Sequence, residues 1–166
     1  MMEAWSERPV DLANLLNPAF TGVLLRTSVE GYVKEAKTGM PYELAFLVLP
    51  FSMHHRTTER LPIKVTSLLQ TWLQDNRDTL VMFPDRVRSL VPFTREAIVF
   101  ACQRGILAID AEGRLVSGDK KLKGITAYRT QGEEVTEAIK RSEFVGRWFA
   151  LSGSPTMIYS LLGVRP

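Results

Sequence analysis

One cysteine, Cys102, stands in the whole sequence of 166 residues, which excludes an internal disulfide and a cysteine-based zinc cage. Flanked by Ile98, Val99 and Ala101, it is expected to pack as a small hydrophobe. Histidine is almost as scarce. His54 and His55 are neighbours whose side chains leave most backbones on different sides, and no cluster of acids with ligand spacing lies near them, so no metal site is expected. A nucleophile elbow, a Walker A loop, a glycine-rich dinucleotide turn and an HExxH pair are all missing, and nothing suggests a catalytic triad. These absences predict a protein that is not an enzyme and carries no cofactor.

Long apolar runs are missing as well. The longest, Leu44 to Met53, has about half the ~20 residues that a bilayer crossing needs. The opening Met-Met-Glu-Ala-Trp-Ser-Glu-Arg lacks the basic and apolar regions of a signal peptide. A soluble, cytoplasmic protein is the expectation. Nor is there a large excess of one charge: net +3 with a pI near 9.2 permits a phosphate-tracking protein without calling for one.

Apolar residues make up 45% of the chain and charged residues 23%, ordinary globular values that argue against disorder. The length suits one compact domain, taken here as residues 1–166. Asn17-Pro18 is a helix start, with Asn17 as N-cap and Pro18 at N1. Phe20, Leu24, Leu25, Ser28, Val29, Tyr32 and Val33 follow at helical spacing to about Lys37, with Gly39 placed as the residue that ends the helix. Tyr42 to Leu49 is almost wholly apolar and reads as a buried helix stopped by Pro50, with a core strand as the competing reading. Ser52 to Pro62 is polar and loop-like. A helix over Thr66 to Asp75 turns Leu68, Leu69, Trp72 and Leu73 inward.

The middle of the chain reads as helix, turn, helix, hairpin. A helical segment from about Asp78 meets Pro84, which marks either a kink or the N1 of a new helix over Asp85 to Val91; this leads through Pro92-Phe93 into another, Thr94 to Arg104, with Thr94 as N-cap. Ile106 to Ile109 and Arg114 to Val116 then pair around Asp110-Ala-Glu-Gly113, where Gly113 suits a positive-φ turn position. That order is the order of a winged helix-turn-helix. The expected architecture is therefore mainly α with a minor β part: a winged-helix-like core over about 78–118, N-terminal helices within 17–75, and C-terminal helices over 133–163.

A DNA-reading helix needs hydrogen-bonding side chains on its outer face. With Ala97, Ile98, Ala101 and Cys102 inward, the outer set is Arg95, Glu96, Val99, Phe100 and Gln103. Val99 and Phe100 offer no base-edge chemistry, Glu96 opposes phosphate, and the hairpin tip carries Asp110 and Glu112. Val99 and Phe100 fit a protein partner better. The connection from Gly118 to Thr130 carries Lys120, Lys121, Lys123 and Arg129. Its lysines are the candidate phosphate contacts, against the plainer reading of a solvated loop.

From Glu133 a helix is apolar on two faces, Val135, Ile139, Val145 and Phe149 on one and Phe144, Trp148 and Leu151 on the other. The first face is assigned to the core. Phe144, Arg147 and Trp148 are the candidate partner contacts. Glu137–Arg141 and Glu143–Arg147 have the spacing of i,i+4 ion pairs. Arg147 then either fixes the helix by such a pair or anchors a partner carboxylate or phosphate. Ser154-Pro155 opens a last helix from Met157 to Leu162, closed by Gly163.

Leu15-Leu-Asn-Pro-Ala-Phe20, Gly39-Met-Pro-Tyr-Glu-Leu-Ala-Phe-Leu-Val-Leu-Pro50, Leu90-Val-Pro-Phe-Thr-Arg-Glu-Ala97, Phe144-Val-Gly-Arg-Trp-Phe-Ala-Leu-Ser-Gly-Ser-Pro155 and the ending Leu162-Gly-Val-Arg-Pro166 occur in that order. Together they resemble the middle-component family of bacterial three-component ABC-ATPase conflict systems. The resemblance implies a small non-enzymatic adaptor that bridges an ABC-type ATPase and a third component in defence against phage or other invading DNA. It carries no catalytic residues with it. A homodimer and nucleic acid contact through the complex stay open, and a winged-helix DNA-binding regulator is the alternative.

Overall fold

The computed structural model describes residues 7–124, 127–128 and 131–165. Helix α1 (Val10–Leu15) precedes α2 (Pro18–Ala36), followed by a 3-10 turn at Tyr42–Leu44, α3 (Ala45–Ser52), the single turn α4 (His55–Thr58) and α5 (Leu69–Asp75). A second 3-10 turn, Arg77–Leu80, leads to α6 (Phe83–Gln103). Strands β1 (Leu107–Ile109) and β2 (Leu115–Ser117) form an antiparallel hairpin, and α7 (Glu133–Leu151) and α8 (Pro155–Leu161) close the chain. Among the described residues the protein is mainly helical with one two-stranded hairpin, as the sequence predicts.

Local signals account for several of the ends of the elements. The Asn17 side chain accepts from the Ala19 N–H at 2.8 Å and Pro18 fills the first turn of α2. Ser154 caps α8 in the same way through the Met157 N–H, again with a proline beside it. The hairpin turns at Gly113, φ +78°. Lys37, not Gly39, takes the left-handed position that ends α2, donating its N–H to the Val33 carbonyl. Gly39 instead lies where a side chain would collide with Arg114 and Val116, and Met40 next to it exchanges backbone hydrogen bonds with Leu115, adding a third extended segment to the hairpin.

Several expectations are overturned. The turn at Pro92-Phe93 does not exist: residues 83–103 are one continuous helix with Pro92 inside it. A proline in a helix removes one backbone hydrogen bond and crowds the preceding turn. Here Pro92 and Arg88, four residues earlier, are both exposed, so water can serve the freed carbonyl. Val87, Thr94, Ala97, Ile98 and Ala101 are buried along the one helix, and their burial requires the ladder to run on. The helix-turn-helix half of the expected winged helix is therefore absent, and Thr94 is an interior residue, not a cap. Pro50 likewise sits inside α3, which runs to Ser52. The expected loop after Ser52 contains α4, capped by the His54 imidazole. Leu68 is 68% exposed while Leu69, Trp72 and Leu73 are buried, because α5 starts at Leu69, three residues later than expected, and Leu68 is left outside the helix as its extended N-cap residue.

Helices α2 and α7 make the most extensive contact in the molecule. It depends on small residues: a side chain on Gly146 would fall onto the Ser28 backbone carbonyl, and one on Gly31 onto that of Glu143. Around this pair sits an aromatic cluster in which Phe51 meets Trp72, Phe83, Trp148 and Phe149 with centroids 5.0–6.0 Å apart. Offset and edge-on rings of this kind contribute beyond their buried area. Their polar atoms are satisfied: Trp148 Nε1 donates to the Ser67 carbonyl at 2.7 Å and Trp72 Nε1 to that of Arg60 at 2.6 Å. The Tyr159 hydroxyl donates to the Glu43 carbonyl, joining α8 to the turn before α3.

Candidate interaction surfaces

The outer side of α6 is positioned by what the helix buries on its inner side. Val99 is 55% exposed. Phe100 is half-covered, with the Arg104 guanidinium 5.1 Å from its ring centroid, a cation–π arrangement. Arg95 and Gln103 are exposed. Glu96, expected to face outward freely, is instead held by Arg8, whose Nη1 and Nη2 donate to its two carboxylate oxygens at 2.8 and 2.9 Å. Arg8 also lies 5.7 Å from the Phe93 centroid. A bidentate, nearly buried pair of this type fixes geometry strongly, and it ties the N-terminal stretch to α6.

The C-terminal helix divides differently from the expectation. Trp148 is fully buried, stacked 6.4 Å from Phe149 and edge-on to Trp72 at 5.2 Å. It is a core residue and presents nothing to a partner. Phe144, half-buried, packs at 6.1 Å from Trp148, and only Leu151, 44% exposed, remains of the second apolar face. Arg147 does not pair with Glu143. Its Nε donates to Glu35 on α2 at 2.6 Å, while Glu143 lies 3.9 Å from Lys34 and Glu137 pairs with Lys140 at 2.8 Å. Of the expected i,i+4 pairs on α7, Glu143–Arg147 gives way to contacts with Lys34 and Glu35 on α2, and Glu137 pairs with Lys140 on its own helix.

Lys120, Lys121 and Lys123 are exposed, and Arg129 lies outside the described residues. The hairpin they follow is clamped by a residue that sequence periodicity passes over. Arg26 is 6% exposed. Its Nη1 donates to the carbonyls of Ile106, Gly118 (3.3 Å) and Lys120 (3.4 Å), and its Nε to Glu30 at 2.7 Å. The only hint of it in the sequence is a cation set among Val23, Leu24, Leu25 and Val29. The tip acids serve the hairpin too: Asp110 accepts from the Glu112 and Arg114 N–H groups and from Arg114 Nε at 2.8 Å. Those bonds hold its carboxyl below the usual range.

Among the described residues no group of three or more His, Cys, Asp or Glu is placed to hold a metal ion, and no helix is long and apolar enough to cross a membrane. Cys102 is half-buried against the core, and burial pushes its thiol up.

A family model described as ABC-three component (ABC-3C) system Middle Component 3 matches residues 5–166. The chain belongs to this family. Neither a curated protein nor a solved structure matches it. Membership in Middle Component 3 agrees with the resemblance carried by the Asn17-Pro18 start, the Gly39 to Pro50 segment and the Phe144 to Pro155 segment, and it makes the protein one component of a multi-component ABC-3C system.

Proposed function

We propose that this Middle Component 3 protein is a single-domain, non-enzymatic adaptor that docks an ABC-type ATPase to the third component of its system, in defence against phage or other mobile DNA. The observation that carries the reading is the outer side of α6. Val99 and the partly covered Phe100 form an apolar surface on a rigid 21-residue helix, flanked by the exposed Arg95 and by Arg104 stacked on Phe100. An apolar centre with an arginine rim is the composition of a protein-binding surface. A rigid helix presents it without an ordering cost on binding.

Co-expression with the ATPase tests this. The wild-type chain is expected to co-purify with it, and Val99→Glu to lose the partner while keeping its thermal midpoint. Arg147→Glu and Trp148→Ala are unsuitable, since both side chains hold the fold together. Assembly that survives both Val99→Glu and Phe100→Ala places the docking surface elsewhere. Failure of the wild type to assemble removes the bridging role. A salt-dependent shift of duplex DNA by the chain alone, abolished by charge reversal at Lys120, Lys121 and Lys123, would instead favour a nucleic-acid-binding function.

A further inference from the structure

Away from both surfaces, α4, the 3-10 turn before α6 and the first turn of α6 enclose a cleft of about 420 Å³, a size that accommodates a small molecule. Its lining is cationic. Arg56, Arg60 and Arg86 face it with a single carboxylate, Asp78. Asp78 is already engaged, accepting from Arg60 Nη1, which holds its carboxyl below the usual range. Among the described residues no carboxylate pairs with Arg56 or Arg86.

Arg86 is the less ordinary of the two. Its guanidinium is partly buried, lies 5.6 Å from the Phe83 ring centroid, and donates through Nη1 to Thr57 Oγ1 at 3.3 Å. A guanidinium withdrawn from water with no counter-ion is a costly arrangement, and burial alone depresses its pKa. Beneath it runs a directional hydrogen-bond chain. The Thr57 N–H donates to His54 Nδ1 at 3.3 Å, so that nitrogen is an acceptor and the ring proton sits on Nε2. The fully buried Thr57 must then give its hydroxyl proton to Nδ1, 2.8 Å away, and turn a lone pair to Arg86. One buried threonine thus links the His54 ring to Arg86 and aims the guanidinium. The same cleft is lined by Met82, which opens α6 at φ +61° and offers no side-chain acceptor to the helix it begins. A β-unbranched residue in that region is uncommon and carries a modest strain.

We infer that this cleft binds the phosphate group of a small ligand, with Arg86 and Arg56 as the charged contacts. Two guanidinium groups without a carboxylate partner match the charge of a phosphate dianion, which favours phosphate over a single carboxylate. Arg60 stays with Asp78 and shapes the edge of the site. The inference does not rest on the adaptor role: assembly with an ATPase can survive the loss of phosphate binding, and phosphate binding the loss of assembly.

The test is a titration of the full-length chain, at constant ionic strength, with inorganic phosphate and separately with adenosine triphosphate. NMR of the histidine imidazoles is the readout, the His54 signal being assigned by its loss in His54→Asn, which preserves a capping acceptor. Binding is expected to shift that signal and raise the His54 pKa, because an anion offsets the positive field of Arg86 and Arg56 that now lowers it after burial. Response to both probes identifies the phosphate group itself as the ligand feature, and response to the triphosphate alone identifies a nucleotide. Arg86→Gln is expected to weaken binding on the order of tenfold or more. The exposed Arg56→Gln, which places no demand on folding, should weaken it several-fold, whereas Arg88→Gln, outside the cleft and paired with Asp85, should leave it unchanged. No shift of His54 at millimolar concentrations of either probe overturns the inference. So does undiminished binding by both Arg86→Gln and Arg56→Gln.

Discussion

Arg147 donates from Nε to Oε1 of Glu35 across 2.6 Å, joining α7 to α2 instead of bracing its own helix one turn back. The Arg147 side chain is 32% exposed and that of Glu35 23%, so the pair is screened less than a fully exposed one. Replacing either by alanine is expected to cost on the order of 1–2 kcal/mol, with a coupling of roughly 1 kcal/mol in a double-mutant cycle measured by urea unfolding. A coupling indistinguishable from zero would show that the pair does not brace the helix interface.

A few residues away the two backbones come closer than most helices do. The missing side chain of Gly146 leaves room for the Ser28 carbonyl, and a carbonyl cannot rotate out of the way as a side chain can. Gly146→Ala is therefore expected to lower stability by on the order of 3 kcal/mol or more, beyond the usual cost of overpacking. Chain that stays soluble with an unchanged thermal midpoint would contradict the close approach.

The opposite sign is expected at Thr94. Its hydroxyl is buried in α6 with no hydrogen-bond partner, so desolvation goes unrelieved. Thr94→Val keeps the shape and removes the hydroxyl. Thermal unfolding should show it equal to the wild type or more stable by about 1 kcal/mol. A clear loss of stability would mean that the hydroxyl has a partner in solution, such as a bound water.

Tyr159 contributes to the behaviour in alkali, beside Tyr32, whose phenol burial also pushes up. Burial, with a smaller contribution from Glu43, pushes the Tyr159 phenol up to about 12. Because the folded value lies above the unfolded one near 10, its contribution to stability is fully present below about pH 10 and is lost as pH rises toward 12. Difference absorbance should find one tyrosine that ionises last, and Tyr159→Phe should remove that step while costing roughly 1 kcal/mol at neutral pH through the lost bond to the Glu43 carbonyl. A tyrosine titration complete near pH 10 in the folded protein would refute the assignment.

Elements whose determinants lie within a few residues are legible in the sequence. Asn17-Pro18 and Ser154-Pro155 open α2 and α8 because a cap satisfies backbone donors only two or three residues away. The hairpin around Gly113 is equally local. Pro92 and Pro50 mislead for the same reason: locally each argues for a break, and only the burial of the surrounding helix face overrides it. Short α4 escapes notice because its cap is a histidine, a residue with no strong capping preference.

Of the candidate surface, Val99 and Phe100 can be placed on an outer helix face by periodicity alone. Trp148 cannot, since an apolar helix face looks the same whether Phe51 and Trp72 cover it or a partner does. The anchors Arg8 and Arg26 and the chain from His54 through Thr57 to Arg86 join residues far apart in sequence. The sequence by itself determined the helical class, the capped starts of α2 and α8, the turn at Gly113 and the family. Tertiary structure alone decided which apolar face is core, which arginine finds a carboxylate and which is left without one, because burial and charge pairing belong to the contacts between elements and not to any one of them.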